Sequence, residues 1–152
     1  MQKSKNQYKG VWPSEKRRRY DLTYLKMAKT WADELSHCKR RKVGALIVRG
    51  DEIISQGHNG TPSGFDNCCE TDDGKTKWYV LHAEANAILK KSRSAGGCEG
   101  ATVYQTLSPC RDCSKMILRA GIRRVVYIED YKDLDGVEFL KKAGVKVDKI
   151  EI

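Results

Sequence analysis

The chain of 152 residues has no long apolar run. No segment approaches the roughly 20 apolar residues of a membrane-crossing helix, so a membrane role is not expected. Lys3, Lys5 and Lys9 near the start are not followed by an apolar stretch. The pattern of a secretory signal is therefore missing, and a cytoplasmic location is the expectation. Internal repeats are absent, and the length suits one domain with a substantial core. Acidic residues are in deficit, 20 against 29 Lys and Arg, for a formal charge of +9. With 39% hydrophobic residues the chain has enough apolar content to fold.

The excess charge is clustered. Lys16-Arg17-Arg18-Arg19 and Lys39-Arg40-Arg41-Lys42 are its two main groups. Such clusters suit phosphate-bearing partners, but they also suit a solvated face. Residues 1–19 read as a polar, basic lead, and residues 20–152 as the folded domain. The six cysteines are Cys38, Cys68, Cys69, Cys98, Cys110 and Cys113. Without a secretory signal a disulfide framework is not expected. Metal binding is the first reading for Cys110 and Cys113, and a buried thiol for Cys98.

From Tyr20, apolar residues recur at helical spacing through Leu35, with Asp21 as the cap. Val43–Val48 and Glu52–Gly57 read as a hairpin turned by Gly50-Asp51. A structured loop follows at 57–64, then a polar irregular stretch at 65–79. Helices are expected at 82–91, 110–120 and 134–143, and strands at 101–105, 125–128 and 145–147. Strands separated by helices favour parallel crossovers, and the hairpin makes the sheet mixed. The expected fold is an α/β, three-layer α/β/α sandwich on a five-stranded mixed sheet.

Two short segments carry the chemistry: His82-Ala83-Glu84 and Pro109-Cys110-Arg111-Asp112-Cys113. Cys110 and Cys113 open one helix, whose positive end favours thiolates. Pro109 suits that helix start. His82 opens the preceding helix. If the two helix starts meet at one sheet edge, His82, Cys110 and Cys113 can hold zinc and leave a fourth position for water. Glu84 is then placed to move protons beside it. Alone, the Cys-x-x-Cys pair also fits a redox pair or half a structural zinc site, and His-x-Glu carries almost no signal. Together they match the His/Cys/Cys-plus-Glu arrangement of nucleobase deaminases.

These segments resemble the cytidine and deoxycytidylate deaminase superfamily from about Leu22 to Val147, and within it the deoxycytidylate (dCMP) deaminase family. Cys38–Ala45, Gly57–Gly64, His82–Ile88, Ser108–Cys113 and Gly121–Val125 carry the likeness. The resemblance implies zinc on His82, Cys110 and Cys113, with Glu84 as the catalytic proton carrier. It implies Asn59, Ala83 and Ser108 around the substrate. Arg111 and Tyr127 are further candidates for that pocket, and Lys39, Arg41 and Arg123 for phosphate or effector binding. One departure is His58, which stands where the family has Tyr. A second, structural zinc is suggested at Cys38 and Cys68, the alternative being reduced thiols packed under a long loop.

The implied reaction is hydrolysis of dCMP to dUMP and ammonia, with dCTP as an alternative substrate. The implied partners are a small deoxynucleotide substrate, dCTP with Mg2+ as activator, dTTP as inhibitor, and further copies of the chain in a hexamer. A deaminase acting on tRNA or other nucleic acid is the rival enzyme. A non-enzymatic accessory protein on the same fold is the rival binding module, and Glu84 argues against it.

Overall fold

The computed structural model describes residues 15–152. The earlier part of the expected lead, residues 1–14, lies outside the described residues. Residues 15–19 are not a lead but the start of α1 (Glu15–Leu35). Asp21 is accordingly inside that helix and buried, not at its cap. The remaining elements are β1 (Gly44–Arg49), β2 (Glu52–His58), α2 (Ala83–Ser92), β3 (Thr102–Leu107), α3 (Arg111–Arg119), β4 (Arg124–Glu129), α4 (Asp135–Lys142) and β5 (Lys146–Lys149).

The five strands form one sheet in the order β2-β1-β3-β4-β5. β1 is antiparallel to both of its neighbours, and β3, β4 and β5 run parallel. This is the expected three-layer α/β/α sandwich with a mixed sheet. The alternation of side chains along the strands divides the core in two. Leu46, Val48, Tyr104 and Val126 pack under Tyr24, Leu25 and Ala28 of α1. Ala45, Ile47, Val103 and Val125 face Ala87, Ile88, Ile117 and Leu140 of α2, α3 and α4. Among the described residues no helix is long and apolar enough to cross a membrane.

Close backbone approach sets the position of α2. A Cβ on Gly57 of β2 would lie 2.5 Å from the Ala83 carbonyl oxygen and 2.8 Å from the Ala87 nitrogen. Only glycine lets the first turn of α2 sit this near β2. A reciprocal pair of backbone hydrogen bonds between Gly60 and Leu81 then ties the loop after β2 to the residue before His82. The parallel arrangement of β3 and β4 brings the start of α3 to the same sheet end.

Candidate active site

His82 is the N-cap of α2 and Cys110 the N-cap of α3. Their helix starts meet as the sequence pattern requires. The His82 Nδ1 lies 3.5 Å from the Cys110 Sγ and 3.3 Å from the Cys113 Sγ. Zinc bonds of about 2.3 Å to sulfur and 2.0 Å to nitrogen, at tetrahedral angles, place neighbouring donors about 3.5 Å apart. The three donor atoms therefore fit one zinc ion in both chemistry and spacing. Cys110 Sγ also accepts from the Cys113 backbone nitrogen, as a capping thiolate does.

Without metal the cluster polarises itself. Hydrogen bonds from Cys113 and His82 hold the Cys110 thiol down to about 4. The same sharing pushes Cys113 up, reinforced by burial. The hydrogen bond to Cys110 raises His82 above its ordinary value. Cys110 is thus a thiolate before any ion arrives, which suits a metal ligand.

Glu84, in the first turn of α2, is 4% exposed. Burial pushes its carboxyl above the usual range, against the pull of His82. One carboxylate oxygen accepts a hydrogen bond from the Gln105 Nε2 at 2.7 Å. A cavity of about 420 Å³ opens over the cluster. His82, Ala83, Glu84, Ser108 and Cys110 line it, as do Arg40, Arg41, Tyr131 and Lys132. Asn59 lines it too.

A His/Cys/Cys cluster with a buried carboxylate beside it matches a family pattern, and residues 18–129 match the cytidine and deoxycytidylate deaminase zinc-binding region. The chain belongs to the cytidine and deoxycytidylate deaminase family. It is 36% identical to the deoxycytidylate deaminase of Enterobacteria phage T4, over 82% of this chain and 86% of that protein. It is 38% identical to the deoxycytidylate deaminase of Saccharomyces cerevisiae, over 84% of this chain but 44% of the longer yeast protein. The structure of the dCMP deaminase from cyanophage S-TIM5, in complex with dCMP and dUMP, superposes with a TM-score of 0.84 at 45% identity, covering 87% of this chain and 97% of that one.

Within this deaminase fold the other expected residues are spread more widely. Asn59 is mostly engaged with its own chain. Its Oδ1 accepts from Ser36 Oγ at 2.7 Å and Val43 N at 2.9 Å, and its Nδ2 donates to the Arg41 carbonyl at 2.7 Å. At most one amide hydrogen is left for a ligand. Ser108 uses its hydroxyl to accept from the Tyr131 backbone nitrogen at 2.7 Å. That contact carries Tyr131 and Lys132 to the cavity wall. Tyr127 does not line the cavity; its hydroxyl donates to Asp130 at 2.9 Å.

Arg111 also lies outside the cavity, because Asp133 and Asp135 before and at the start of α4 hold its guanidinium at 2.9 and 2.5 Å. Arg123 lines a second cavity with Arg17, Arg49 and Arg124, at the opposite end of the sheet. Lys39 is exposed, and its backbone nitrogen donates to Glu70. Arg41 lines the deaminase cavity and pairs with Glu129. His58 sits at the end of β2 with a ring nitrogen 3.1 Å from the Asn59 carbonyl oxygen, outside the cavity lining.

The cysteines at 38, 68 and 69 correct two expectations. Cys38 is bonded to Cys69, with 5.1 Å between their Cα atoms, so this pair is a disulfide and not two reduced thiols. Cys68 is exposed and free, its thiol donating to the Glu70 carbonyl at 3.2 Å. Cys69 takes the place expected for Cys68. Cys38, Cys69 and Glu70 bring their donor atoms within 4.8 Å of one another. Cys98 is a buried thiol, as expected.

Proposed function

We propose that this chain is a deoxycytidylate deaminase, a zinc hydrolase that converts dCMP and water to dUMP and ammonia. The observation that carries the reading is the His82/Cys110/Cys113 cluster with Glu84 beside it, opening on a cavity with arginine and lysine in its wall. Zinc, when bound to the three ligands, supplies an activated water. Glu84 would take one proton from that water and pass it to the ring nitrogen, then take a second from the hydroxyl now on the ring carbon and pass it to the departing amine, leaving the carbonyl. Its burial raises its proton affinity, which suits a group that must take up a proton before each of its two deliveries.

Ala83 is the first helical residue of α2, so its N–H has no acceptor within the helix. In this reading it donates to the carbonyl edge of the cytosine. Ser108, buried at the end of β3, borders the same space. The phosphate is assigned to Arg40, Arg41 and Lys132, the cations of the cavity wall. Arginine's planar fork suits phosphate oxygens. This replaces Arg111, which lies outside the cavity and pairs with two aspartates.

The proposal extends to the expectations carried by the family resemblance. The chain assembles with further copies, as a hexamer. dCTP with Mg2+ activates it and dTTP inhibits it. The second zinc expected at Cys38 and Cys68 is reassigned to Cys38, Cys69 and Glu70, whose donor atoms converge, when the cysteines are reduced.

Ammonia release from cytidine, CMP, dCMP, dCTP and an RNA hairpin tests the substrate. Turnover of dCMP well above the others supports the reading, and turnover of the hairpin alone overturns it. The Glu84→Gln variant should keep its zinc and lose turnover. A flat response to added dCTP and dTTP defeats the control by effectors. Zinc counted per chain before and after reduction should rise from one to two; a constant count removes the second site.

A further inference from the structure

The alternation along β3 makes position 105 a core position. Its neighbours on the same face, Val103 and Leu107, pack with the helices beneath. Gln105 is nevertheless fully buried there, with 0% exposure. Its Nε2 donates to Glu84 Oε2 at 2.7 Å and to the Leu107 carbonyl at 2.5 Å. Both partners are acceptors, which fixes the amide orientation. Its Oε1 has no hydrogen-bond partner among the described residues.

A half-satisfied amide is a poor choice for a core. A methionine of similar length would fill the space and leave no unpaired oxygen. What the glutamine adds is the bond to Glu84. The platform for that bond is rigid. Gln105 is paired with Ala45 of β1 on one side and Tyr127 of β4 on the other, in the middle of the sheet. Glu84 itself can rotate about its side-chain bonds, and a proton carrier must hold its carboxylate near one geometry.

The geometry points to Gln105 as a positioning residue for Glu84. Its amide anchors one carboxylate oxygen from below and holds the side chain in the rotamer that borders the cavity. Gln105 does not line the cavity. The inference rests on the proposed reading of Glu84 as the proton carrier.

The test uses Gln105→Met and Gln105→Val, each alone and combined with Glu84→Gln. In the single variants kcat for dCMP should fall about tenfold to a hundredfold. KM and zinc content should stay near those of the parent, with thermal stability retained or raised. In the Glu84→Gln background either substitution should add no further loss, because Gln105 acts through Glu84. Parental kcat in folded Gln105→Met overturns the role. So does a further loss in the double variant, and so does failure of both single variants to fold, which would make Gln105 structural. A parent that does not deaminate dCMP would sink the proposed function instead. A parent that does, with Glu84→Gln inactive and Gln105→Met unaffected, sinks only the positioning role.

Discussion

The two terminal nitrogens of Arg124 grip the Asp21 carboxylate at 3.0 and 2.9 Å, joining α1 to β4. Asp21 is 0% exposed and Arg124 7%. The Tyr104 hydroxyl adds a bond to Asp21 at 2.5 Å, and Asp148 takes the Arg124 Nε at 2.9 Å. Removing one member of such a pair leaves the other charge buried with less compensation. Asp21→Ala should therefore lower stability by about 3–5 kcal/mol. The pair lies on the α1 face of the sheet, and the zinc ligands open helices on the other. Zinc content and kcat of the folded protein should stay unchanged. Urea unfolding beside metal analysis checks both halves. A stability loss below about 1 kcal/mol would place the pair with weak surface bridges.

What the amino-acid pattern revealed, and what it hid, follows from distance along the chain. His82, Glu84, Cys110 and Cys113 are legible because two short spacings and two helix starts define them. The strand order follows from the alternation of elements. Asp21 reads as a cap because its partner Arg124 is 103 residues away. The run Lys16–Arg19 reads as a lead because charge masks a helix whose buried stripe begins only at Asp21. Cys68 and Cys69 differ by one position, and in an extended segment one position reverses the side. Gln105 looks like filler because its signal is a polar side chain in an apolar row, visible only once that row is known to be buried. Lys132 sits in a loop whose path depends on the Ser108 to Tyr131 contact.

Asn59 is more a brace than a free hand. Asn59→Ala would strand the buried Val43 nitrogen, which donates to Oδ1, and would leave the Ser36 hydroxyl only the Asn59 backbone carbonyl. Losing the acceptor of a buried donor costs about 1–3 kcal/mol. The same change frees the Arg41 carbonyl and loosens a residue of the cavity wall. KM for dCMP should rise by about an order of magnitude as that wall loses its geometry. Steady-state kinetics and thermal unfolding should move together. A KM change with unaltered stability would instead assign Asn59 mainly to the ligand.

The metal-free cluster makes a pH prediction with a definite sign. A depressed thiol pKa keeps the thiolate, the reactive form, at low pH. Cys110 should react with iodoacetamide through the acidic range, slowing only near its value of about 4. Cys98, raised by burial, should stay unreactive. Zinc should protect Cys110 by occupying the thiolate. Zinc affinity should rise with pH, since His82 must lose the proton that Cys110 helps it retain. Because His82 is raised, that rise continues above 6.5. Peptide mapping after alkylation checks the first point and competition with a chelator the second. A Cys110 rate that tracks an ordinary thiol would mean the three donors do not converge without metal.

Gly136 sets the distance between α4 and the zinc-binding segment. A Cβ there would meet the Ser114 Oγ at 2.4 Å, the Pro109 carbonyl at 2.6 Å and the Cys110 carbonyl at 2.7 Å. Helix propensity argues for alanine at this helical position, by about 1 kcal/mol. Overpacking argues against it, at about 1–3 kcal/mol. Two of the three contacts are backbone atoms, which cannot swing away as a side chain can, so the clash should win. Gly136→Ala should be destabilised, and the shift should pass to Cys110 as lower zinc occupancy and lower kcat. Gly74 is a useful control, because a Cβ there meets nothing while its φ of +81° opposes alanine. Gly74→Ala should thus lose stability without losing zinc. Metal content per folded chain separates the two variants. Equal zinc in both would show that the Pro109–Cys110 backbone tolerates the displacement of α4.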